Sequence, residues 1–360
     1  MKPITLYDVA RLAGVSYQTV SRVINQAEHV SARTREKVQR AMAELHYIPN
    51  RGAQQLAGKR TRTLGLITTD LALHAPSQIA SAVKTRAGQA GCGTLISMVE
   101  RHDLAACQAA LQELLSQRVD GLLVNIPLDD EDAEALAAQA QPVPLLFLDV
   151  SPTAAVNSLV FDAAQGASLG AAHLLSLGHQ HIALLGGPES SVSARARFAG
   201  WLTALDAAGI APVAHAHGDW SAASGYEKTH QLLARAPHTE AILVANDQMA
   251  LGAIRACAEK GIRVPEQLSL VGYDDTADSA WFSPPLTTVR QAFKEAGERS
   301  VDWLLSGEGS DRATLSQTRC PVTLVVRGST AAPGGEIIDG KTLAQRLREL
   351  AVLAARLETR

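Results

Sequence analysis

The sequence predicts a small all-α N-terminal domain, an α/β core of two parallel-sheet lobes, and a separate C-terminal helix. The chain begins with two short amphipathic helices joined by a glycine turn. From Thr63, short apolar runs alternate with amphipathic stretches at intervals of roughly 25 to 30 residues, the spacing of repeated strand and helix units. Near the end of the chain, leucines recur at spacings of four and three residues.

Composition is that of an ordinary globular protein, but charge is unevenly distributed. The 360 residues, 46% hydrophobic and 19% charged, allow two or three domains and a sizeable core. Residues 1–62 carry eleven Lys or Arg and four Asp or Glu, whereas the remainder carries 22 basic and 32 acidic residues. Only the N-terminal segment therefore has the positive charge of a surface that binds a polyanion.

The sequence shows no pattern for export, membrane insertion or metal binding. No apolar run approaches the roughly 18 residues of a membrane span, and the chain starts directly with a polar amphipathic helix. We therefore expect a cytoplasmic protein without membrane contact. The cysteines are too widely spaced for a zinc site or a disulfide framework, so we expect no cofactor or metal and interpret them as buried thiols; they are Cys92, Cys107, Cys257 and Cys320.

Residues 5–25 have the pattern of a helix-turn-helix. Thr5 with Asp8 predicts a capped first helix, Gly14 supplies the turn, and Ser16 caps the second helix. Apolar residues of the second helix share one side and are predicted to pack on the first helix. The residues expected to pack are Val20, Val23 and Ile24 on the second helix and Val9, Ala10 and Ala13 on the first.

The opposite side of the second helix is a continuous polar stripe of Tyr17, Gln18, Ser21, Arg22 and Asn25. Arg bonds guanine through two hydrogen bonds and Gln bonds adenine, and a recognition helix presents its N-terminal residues to the major groove. The pattern favours reading of double-stranded DNA over a plain solvated helix pair.

A third helix completes the N-terminal domain. Ser31 is its predicted cap, and Val38, Met42 and Leu45 lie on one face. The segment between Asn50 and Gly58 is compatible with a helix of about two turns, which is too short to persist alone. We predict that it orders on DNA or against a second copy; the alternative is a plain linker.

The core contains eight apolar runs that we interpret as strands, too many for one small sheet and enough for two. They are residues 64–67, 94–99, 122–125, 145–149, 159–161, 182–185, 242–246 and 268–273. Helical periodicity lies between them at 77–90, 105–117, 166–177, 194–207 and 248–259. We place the break between the lobes near Phe161–Asp162.

Four strand runs end at a polar residue: Asn125, Asp149, Asn246 and Asp274. Open parallel sheets bind ligands beyond the carboxyl ends of their strands, and amides with carboxylates suit a neutral polyhydroxyl ligand. For each residue alone, a loop cap is the alternative. Three aromatic residues are candidate platforms for the apolar face of a sugar, or else core: Phe161, Trp220 and Phe293. The sequence contains no recognisable catalytic motif, so we expect that the protein is not an enzyme.

The terminal leucines form a seam of the coiled-coil type, flanked by charged residues. The seam consists of Leu343, Leu347, Leu350, Ala354 and Leu357. A preceding segment rich in proline and glycine favours an independent helix that binds partner helices over one that folds back on its own domain.

With Tyr17, Gln18 and Arg22 in the second helix, the segment 50–58, and these strand ends, the chain closely resembles the LacI and GalR family of bacterial transcriptional regulators over its whole length. The resemblance implies a two-lobed core like that of periplasmic sugar-binding proteins. The implied parts are a helix-turn-helix headpiece at 1–49, a hinge helix and linker at 50–62, a core at 63–329, a linker at 330–340 and a tetramerisation helix at 341–360. Lobe one is expected at about 63–161 with 291–320, and lobe two at about 162–290 with 321–329.

Site residues follow from the same resemblance, position by position. The implied DNA contacts are Thr5, Leu6, Ser16, Tyr17, Gln18, Thr19, Ser21, Arg22, Asn25, His29, Ser31, Thr34, Tyr47, Asn50, Gln54, Leu56 and Ala57, with Leu56 as a wedge in the minor groove. The implied inducer pocket is Leu73, Ala75, Pro76, Ile79, Asn125, Asp149, Phe161, Ser193, Arg197, Trp220, Asn246, Asp274, Gln291 and Phe293.

The function implied is an inducible repressor of a lactose-type operon. A homodimer, joined into a homotetramer through the C-terminal helix, would bind a pseudo-palindromic operator and leave it when a galactoside inducer enters between the lobes. Three positions depart from the family pattern: Gly52 at the contact of paired hinge helices, Ala296 in place of a leucine at the pocket edge, and Ala354 in the terminal seam. They bear on hinge stability, inducer affinity and tetramer strength respectively.

Rival interpretations remain open at this point. Within the same class, the protein would answer a different sugar or a purine-type corepressor that tightens DNA binding. A sugar-uptake binding protein is opposed by the basic N-terminus and the missing signal peptide. A sugar-processing enzyme is opposed by the missing catalytic set.

Overall fold

The computed structural model of the chain describes residues 4–24, 30–48, 61–100, 103–307 and 315–334. The chain divides between Thr61 and Arg62 into two compact units. The predicted hinge helix, the terminal seam, Asn25 and His29 lie outside the described residues.

The N-terminal unit contains α1 (Leu6–Ala13), α2 (Tyr17–Ile24) and α3 (Ala32–Glu44). The Asp8 carboxylate accepts hydrogen bonds from the backbone N–H of Thr5 at 2.9 Å and from its hydroxyl at 2.6 Å. Gly14 ends α1 with a φ of 65°, a left-handed conformation that glycine adopts without steric cost. Ser16 accepts from the N–H of Thr19 at 3.1 Å, and Ser31 caps α3. The predicted caps and turn are confirmed.

A small core joins the three helices of this unit. Val9, Val20 and Val38, one from each helix, are completely buried. Ala10, Val23 and Ala41 are buried around them, and Ala13, Ile24, Met42 and Leu45 pack against the same cluster. The predicted packing of α2 on α1 is confirmed, and the three-helix unit is stabilised by burial of one apolar stripe from each helix.

The larger unit contains two six-stranded sheets in the order β11-β5-β4-β3-β1-β2 and β12-β10-β9-β8-β6-β7. The strands are β1 (Thr63–Thr68), β2 (Gly93–Met98), β3 (Gly121–Asn125), β4 (Leu145–Phe147), β5 (Ser158–Phe161), β6 (Ile182–Gly186), β7 (Ala214–His217), β8 (Ala241–Val244), β9 (Ser269–Asp274), β10 (Thr287–Gln291), β11 (Gln317–Cys320) and β12 (Val322–Val325). Every strand pair is parallel except β10 with β12. The two parallel-sheet lobes are as predicted.

Helices cover the faces of both sheets, as parallel strands with crossover connections require. They are α4 (His74–Gln89), α5 (Leu104–Ser116), α6 (Asp130–Ala140), α7 (Ala163–Ser176), α8 (Val192–Ala207), α9 (Ala222–Arg235), α10 (Asp247–Glu259) and α11 (Phe293–Ser306), with a 3₁₀ turn at Ser279–Trp281. None of the helices within the described residues is both long and apolar enough to cross a membrane.

The chain passes between the lobes three times. The chain crosses from lobe one to lobe two after β5 and returns to lobe one after β10. It crosses to lobe two again between β11 and β12. Between the second and third passages, α11 packs on α4 of lobe one, where the small residues Ala82 and Gly297 meet closely. Three short connections thus join the two lobes, and the cleft lies between the lobes.

Four strands and three helices of the core were missed by the sequence patterns, and one cysteine prediction was wrong. β7 reads Ala-His-Ala-His, and β10 and β11 are short and rich in Thr, Arg and Gln, so they lack the apolar runs used to recognise strands. β12 is mostly apolar, but it has only four residues and Thr323 interrupts it. The helices α6, α9 and α11 were also missed. Cys107, Cys257 and Cys320 are buried as expected, but Cys92, just before β2, is only half-buried.

Candidate functional sites

The outer face of α2 presents polar and aromatic side chains to solvent. Tyr17, Gln18 and Arg22 are exposed, and Ser21 is half-buried. The Tyr17 ring lies 5.2 Å from the ring of Tyr7 on α1, so the two helices share an aromatic edge beside the stripe. Side chains of this kind, along the exposed face of the second helix, have the hydrogen-bonding groups that read base edges.

The other predicted DNA contacts of the headpiece lie around the helix N-termini. Thr5, Ser16 and Ser31 cap the three helices, so their backbone and hydroxyl groups stand where free N–H groups attract phosphate. Thr19 and Thr34 bond to the hydroxyls of Ser16 and Ser31 at 2.9 Å, and Leu6 and Tyr47 are half-buried against the core. Asn25, His29, Asn50, Gln54, Leu56 and Ala57 lie outside the described residues.

Between the two lobes of the larger unit, the carboxyl ends of the strands surround a cleft with two adjoining chambers. One chamber measures about 100 Å³ and the other about 250 Å³. Five residues line both: Ala75, Asn125, Asp149, Ser193 and Arg197. The structure places all fourteen residues of the implied inducer pocket on the wall of one chamber or the other.

Arg197 on α8 is the fixed cation of the smaller chamber. Its guanidinium stacks 3.9 Å from the centroid of the Tyr273 ring and 5.4 Å from that of Trp220. One nitrogen donates to the carbonyl of Ala245, and another lies 3.5 Å from Oδ1 of Asp274. Its Nε finds no hydrogen-bond partner among the described residues. A buried guanidinium held in this way provides a rigid base for polar ligand groups.

Asp274 ends β9 and is buried at the wall of the same chamber. Gln291, at the end of β10, donates from Nε2 to its Oδ1 at 2.7 Å. Burial raises the pKa of Asp274 to about 7, although Arg197 opposes this shift, and the neighbouring Asp247 adds to it. A carboxyl group with a pKa near neutrality is able to accept or donate a hydrogen bond to a hydroxyl group.

Asp149 brings a second carboxyl group from lobe one. Burial raises the pKa of Asp149 to about 6, opposed by Arg197, by a hydrogen bond with Ser193 and by Arg195. Ser193 and both arginines belong to α8 of lobe two, so Asp149 already contacts the opposite lobe. The smaller chamber therefore holds groups from both lobes around one guanidinium.

The two asparagines differ in what they bind within the protein. Asn125 at the end of β3 lies 3.5 Å from the hydroxyl of Thr68. Asn246 caps α10, accepting from the N–H of Met249 at 2.8 Å, and its amide donates to the carbonyl of Trp220 at 3.0 Å. The loop-cap alternative thus describes Asn246, which at the same time fixes the loop that carries Trp220 into the chamber.

The larger chamber adds aromatic and aliphatic side chains to the polar groups that it shares with the smaller one. Phe161 and Phe293 meet edge to face with 5.3 Å between ring centroids, and Ile79 lies on the same wall. Arg319 and Asp162 form an ion pair of 3.5 Å at its rim. Ala296, which the family pattern placed at the pocket edge, lines neither chamber: it is buried in the core of lobe one together with Phe293 and Ile79.

The sequence patterns missed several residues at the cleft that connect the lobes. The backbone N–H of His74 lies 3.4 Å from Oε1 of Gln248, and Arg195 pairs with Asp129 across the opening. Burial lowers the pKa of His74, opposed by Asp278 and Asp275. All four residues lie within one turn of a helix N-terminus that follows a strand end, and that position is the signal that would have identified them.

Known proteins resemble this chain in both units. Residues 5–50 match the model of bacterial regulatory proteins of the lacI family, and residues 171–330 match the periplasmic binding protein-like domain. The lactose operon repressor of Escherichia coli strain K12 is 55% identical over 359 residues, covering 100% of this chain and 99% of that protein. The lactose operon repressor of Klebsiella pneumoniae is 46% identical, covering 95% and 96%.

Solved structures agree with the sequence comparison. The crystal structure of a lac repressor dimer bound to operator and the anti-inducer ONPF has a TM-score of 0.87 and 56% sequence identity, covering 92% of this chain and 100% of that chain. The similarity extends over the three-helix unit and the two-lobed core alike. On these observations the chain belongs to the lacI family of bacterial regulatory proteins.

Proposed function

We propose that this protein represses a lactose-type operon by binding operator DNA through its headpiece, and that a galactoside bound between the lobes releases it. The observation that carries the proposal is the smaller chamber, in which Asp149 of lobe one and Asp274 of lobe two flank the guanidinium of Arg197. As a regulator of operator DNA the protein acts in the cytoplasm, and it acts by binding rather than by catalysis.

DNA recognition is assigned to the exposed face of α2. Tyr17, Gln18 and Arg22 read base edges in the major groove, while the capped helix N-termini contact the backbone phosphates. The remaining headpiece and hinge contacts are those that the family pattern implies. Two headpieces are needed for two half-sites, and a homodimer supplies them.

The ligand assigned to the cleft is a neutral galactoside. The smaller chamber offers carboxyl, amide and guanidinium groups, which match the donors and acceptors of sugar hydroxyls and leave few of them unpaired. The Trp220 ring lies on its wall, where an aromatic surface suits the C–H groups of a pyranose. The larger chamber, with Phe161 and Phe293, receives the substituent attached to the sugar.

Release of DNA follows from contacts to both lobes. A ligand shifts a conformational equilibrium only as far as it binds one arrangement more tightly than the other. A sugar that bonds to Asp149 and Asp274 together depends on the distance between the lobes, so its binding favours one lobe arrangement. The headpieces of a dimer then lose the spacing that the operator requires.

The test is release of a fluorescent operator, followed by anisotropy, as isopropyl thiogalactoside is added to the parent and to Asp274→Ala. Loss of a charge-assisted hydrogen bond worth about 1.5–3 kcal/mol should weaken galactoside binding on the order of 10- to 100-fold, with operator affinity unchanged. Asp206→Ala, an exposed position on α8 outside the cleft, is the matched control and should behave as the parent.

Arg22→Ala should show the reciprocal pattern. Operator affinity falls by about 1–3 kcal/mol, while galactoside binding to the core is retained.

Two outcomes would contradict the proposed ligand site. Release of DNA at the same galactoside concentration from the parent and from Asp274→Ala would show that the galactoside does not bind at Asp274 in the cleft. Tighter operator binding on addition of the ligand would identify the corepressor alternative instead.

A further inference from the structure

Two consecutive residues at the end of β9 have a backbone conformation that residues other than glycine rarely adopt. Asp274 has a φ of 117° and Asp275 a φ of 56°. Such conformations are strained, and they persist only where the surrounding structure holds them in place. The contacts of Asp275 show what holds this turn.

The carboxylate of Asp275 is buried between two guanidinium groups. Arg290 donates from Nε to Oδ2 at 2.6 Å, and Arg327 donates from Nη2 to Oδ1 at 2.5 Å. The side chain of Asp275 is 7% exposed and that of Arg327 is 17% exposed, so solvent screens this pair only weakly. Arg327 is fixed in turn, because its Nη1 donates to the carbonyl of Leu286 at 2.8 Å and its backbone N–H donates to the hydroxyl of Thr287 at 2.9 Å.

Adjacent residues of β10 hold the two aspartates on opposite faces of the sheet. The side chains of Arg290 and Gln291 point in opposite directions because they are consecutive in a strand. Gln291 binds the carboxyl group of Asp274 at 2.7 Å, while Arg290 binds that of Asp275. Asp274 lines the smaller chamber and Asp275 lines neither chamber. Gln291 therefore holds the turn on the side of the cleft, and Arg290 holds it on the opposite side.

We propose that Arg327 and Asp275 are positioning residues of the effector site, whose ion pair holds the turn that aims Asp274 into the cleft. Neither side chain lines a chamber, so both act through Asp274 and not by touching the ligand. The ion pair also ties the segment that follows β12 to the effector site. This inference rests on the proposed function of the cleft as a galactoside site.

The test compares three full-length variants with the parent. Arg327→Met keeps the aliphatic stem and removes the charge. Adding Asp275→Asn to it removes a carboxylate that has lost one of its two guanidinium partners and supplies a residue that tolerates positive φ. Arg86→Met is the matched control, since it breaks an ion pair of 2.7 Å with Asp302 in lobe one, away from the cleft.

Affinity for isopropyl thiogalactoside, measured by tryptophan fluorescence, should fall about tenfold in Arg327→Met, roughly the effect of weakening one charge-assisted hydrogen bond. It should return to within about threefold of the parent in the double variant and stay unchanged in Arg86→Met. Operator affinity without galactoside should be the same in all four proteins. Parent-like galactoside affinity in Arg327→Met would overturn the proposal.

A second measurement reads the position of Asp274 without ligand. Asp274→Asn is introduced into the parent and into Arg327→Met, and urea unfolding is compared at pH 5 and pH 8. If the ion pair keeps Asp274 buried, Asp274→Asn should change the pH dependence of the free energy of unfolding strongly in the parent. The same substitution should change it only slightly in Arg327→Met. An equal pH dependence in both backgrounds would contradict the positioning role. Failure of the parent to bind any galactoside would contradict the proposed function alone, and this measurement would still decide the inference.

Discussion

Two buried carboxyl groups of lobe two, those of Asp247 and Asp274, have raised pKa values. Burial raises the pKa of Asp274 to about 7 and that of Asp247 to about 6. Asp247 is completely buried but accepts three hydrogen bonds, from the N–H of Thr276 and the hydroxyls of Ser279 and Thr288 at 2.5 to 2.9 Å. Asp274 has fewer partners within the protein, which leaves it available to a ligand.

The raised pKa of Asp274 has a consequence for stability that depends on pH. A carboxyl group with a higher pKa in the folded state contributes stability below its unfolded pKa of about 3.9, and this contribution is lost as the pH rises through the folded pKa. The stability of Asp274→Asn relative to the parent should therefore be higher at pH 8 than at pH 5, by about 2–3 kcal/mol.

The comparison needs urea unfolding of both proteins, followed by circular dichroism, at the two pH values. The attraction of Arg197 acts on the ionised carboxyl group and is therefore already contained in the raised pKa of Asp274. The same relative stability at pH 5 and pH 8 would show that Asp274 does not titrate in this interval.

Among the elements, α9 and α10 pack unusually closely in lobe two. Gly225 of α9 and Gly252 of α10 face the partner helix, and a Cβ on Gly252 would overlap the carbonyl oxygen of Ala222. A Cβ on Gly225 would likewise overlap the backbone of Met249. Backbone atoms are in contact here, so no side-chain rearrangement can make room.

Gly252→Ala should destabilise lobe two by about 1–3 kcal/mol, because the added methyl group pushes two helices apart. Gly88→Ala is the matched control: this glycine lies on the exposed face of α4 and its Cβ would meet open space. The control should gain about 0.5–1 kcal/mol from helix propensity. Urea unfolding measures both, and a loss of equal size in the two variants would refute the close-packing argument.

The composition of the individual strands explains how much of the fold the sequence predicts. β1, β3, β8 and β9 are buried on both faces and appear as uninterrupted apolar runs. β7, β10 and β11 consist largely of His, Thr, Arg and Gln with single apolar residues between them, so no run marks them, and β12 is an edge strand of only four residues with Thr323 inside it. Only tertiary pairing shows that β11 and β12, separated by Pro321 alone, belong to different sheets.

The residues of the cleft also fall into those that the sequence predicts and those that it does not. The strand ends predicted Asn125, Asp149, Asn246 and Asp274, because a polar residue that ends an apolar run is visible in the sequence. The positioning pair of Asp275 with Arg327 was not predicted, since the two residues are 52 positions apart and meet only through the pairing of β10 with its neighbours. Contacts that depend on sheet order leave no local pattern.

At the scale of the whole molecule, the terminal seam should join dimers into a tetramer. The seam lies outside the described residues, but Ala331 before it is bound to lobe two: its N–H donates to the hydroxyl of Ser269 at 3.0 Å, and its carbonyl accepts from His179. Truncation should therefore spare this contact.

A chain that ends at Gly334 should form dimers with half the mass of the parent tetramer in sedimentation equilibrium. Burial of the leucine seam is lost while the core is intact, so each dimer should bind one operator with parent affinity and fail to bridge two. A truncated tetramer, or monomers, would show that another surface joins the subunits.

The three passages between the lobes also determine the order in which the protein can be completed during synthesis. Lobe one begins with β1 but still lacks α11 and its edge strand β11 until the ribosome has passed Cys320. Lobe two then waits for β12, which follows after Pro321. Neither lobe is therefore a continuous piece of chain that could fold first, be exchanged by recombination as one gene segment, or be expressed alone.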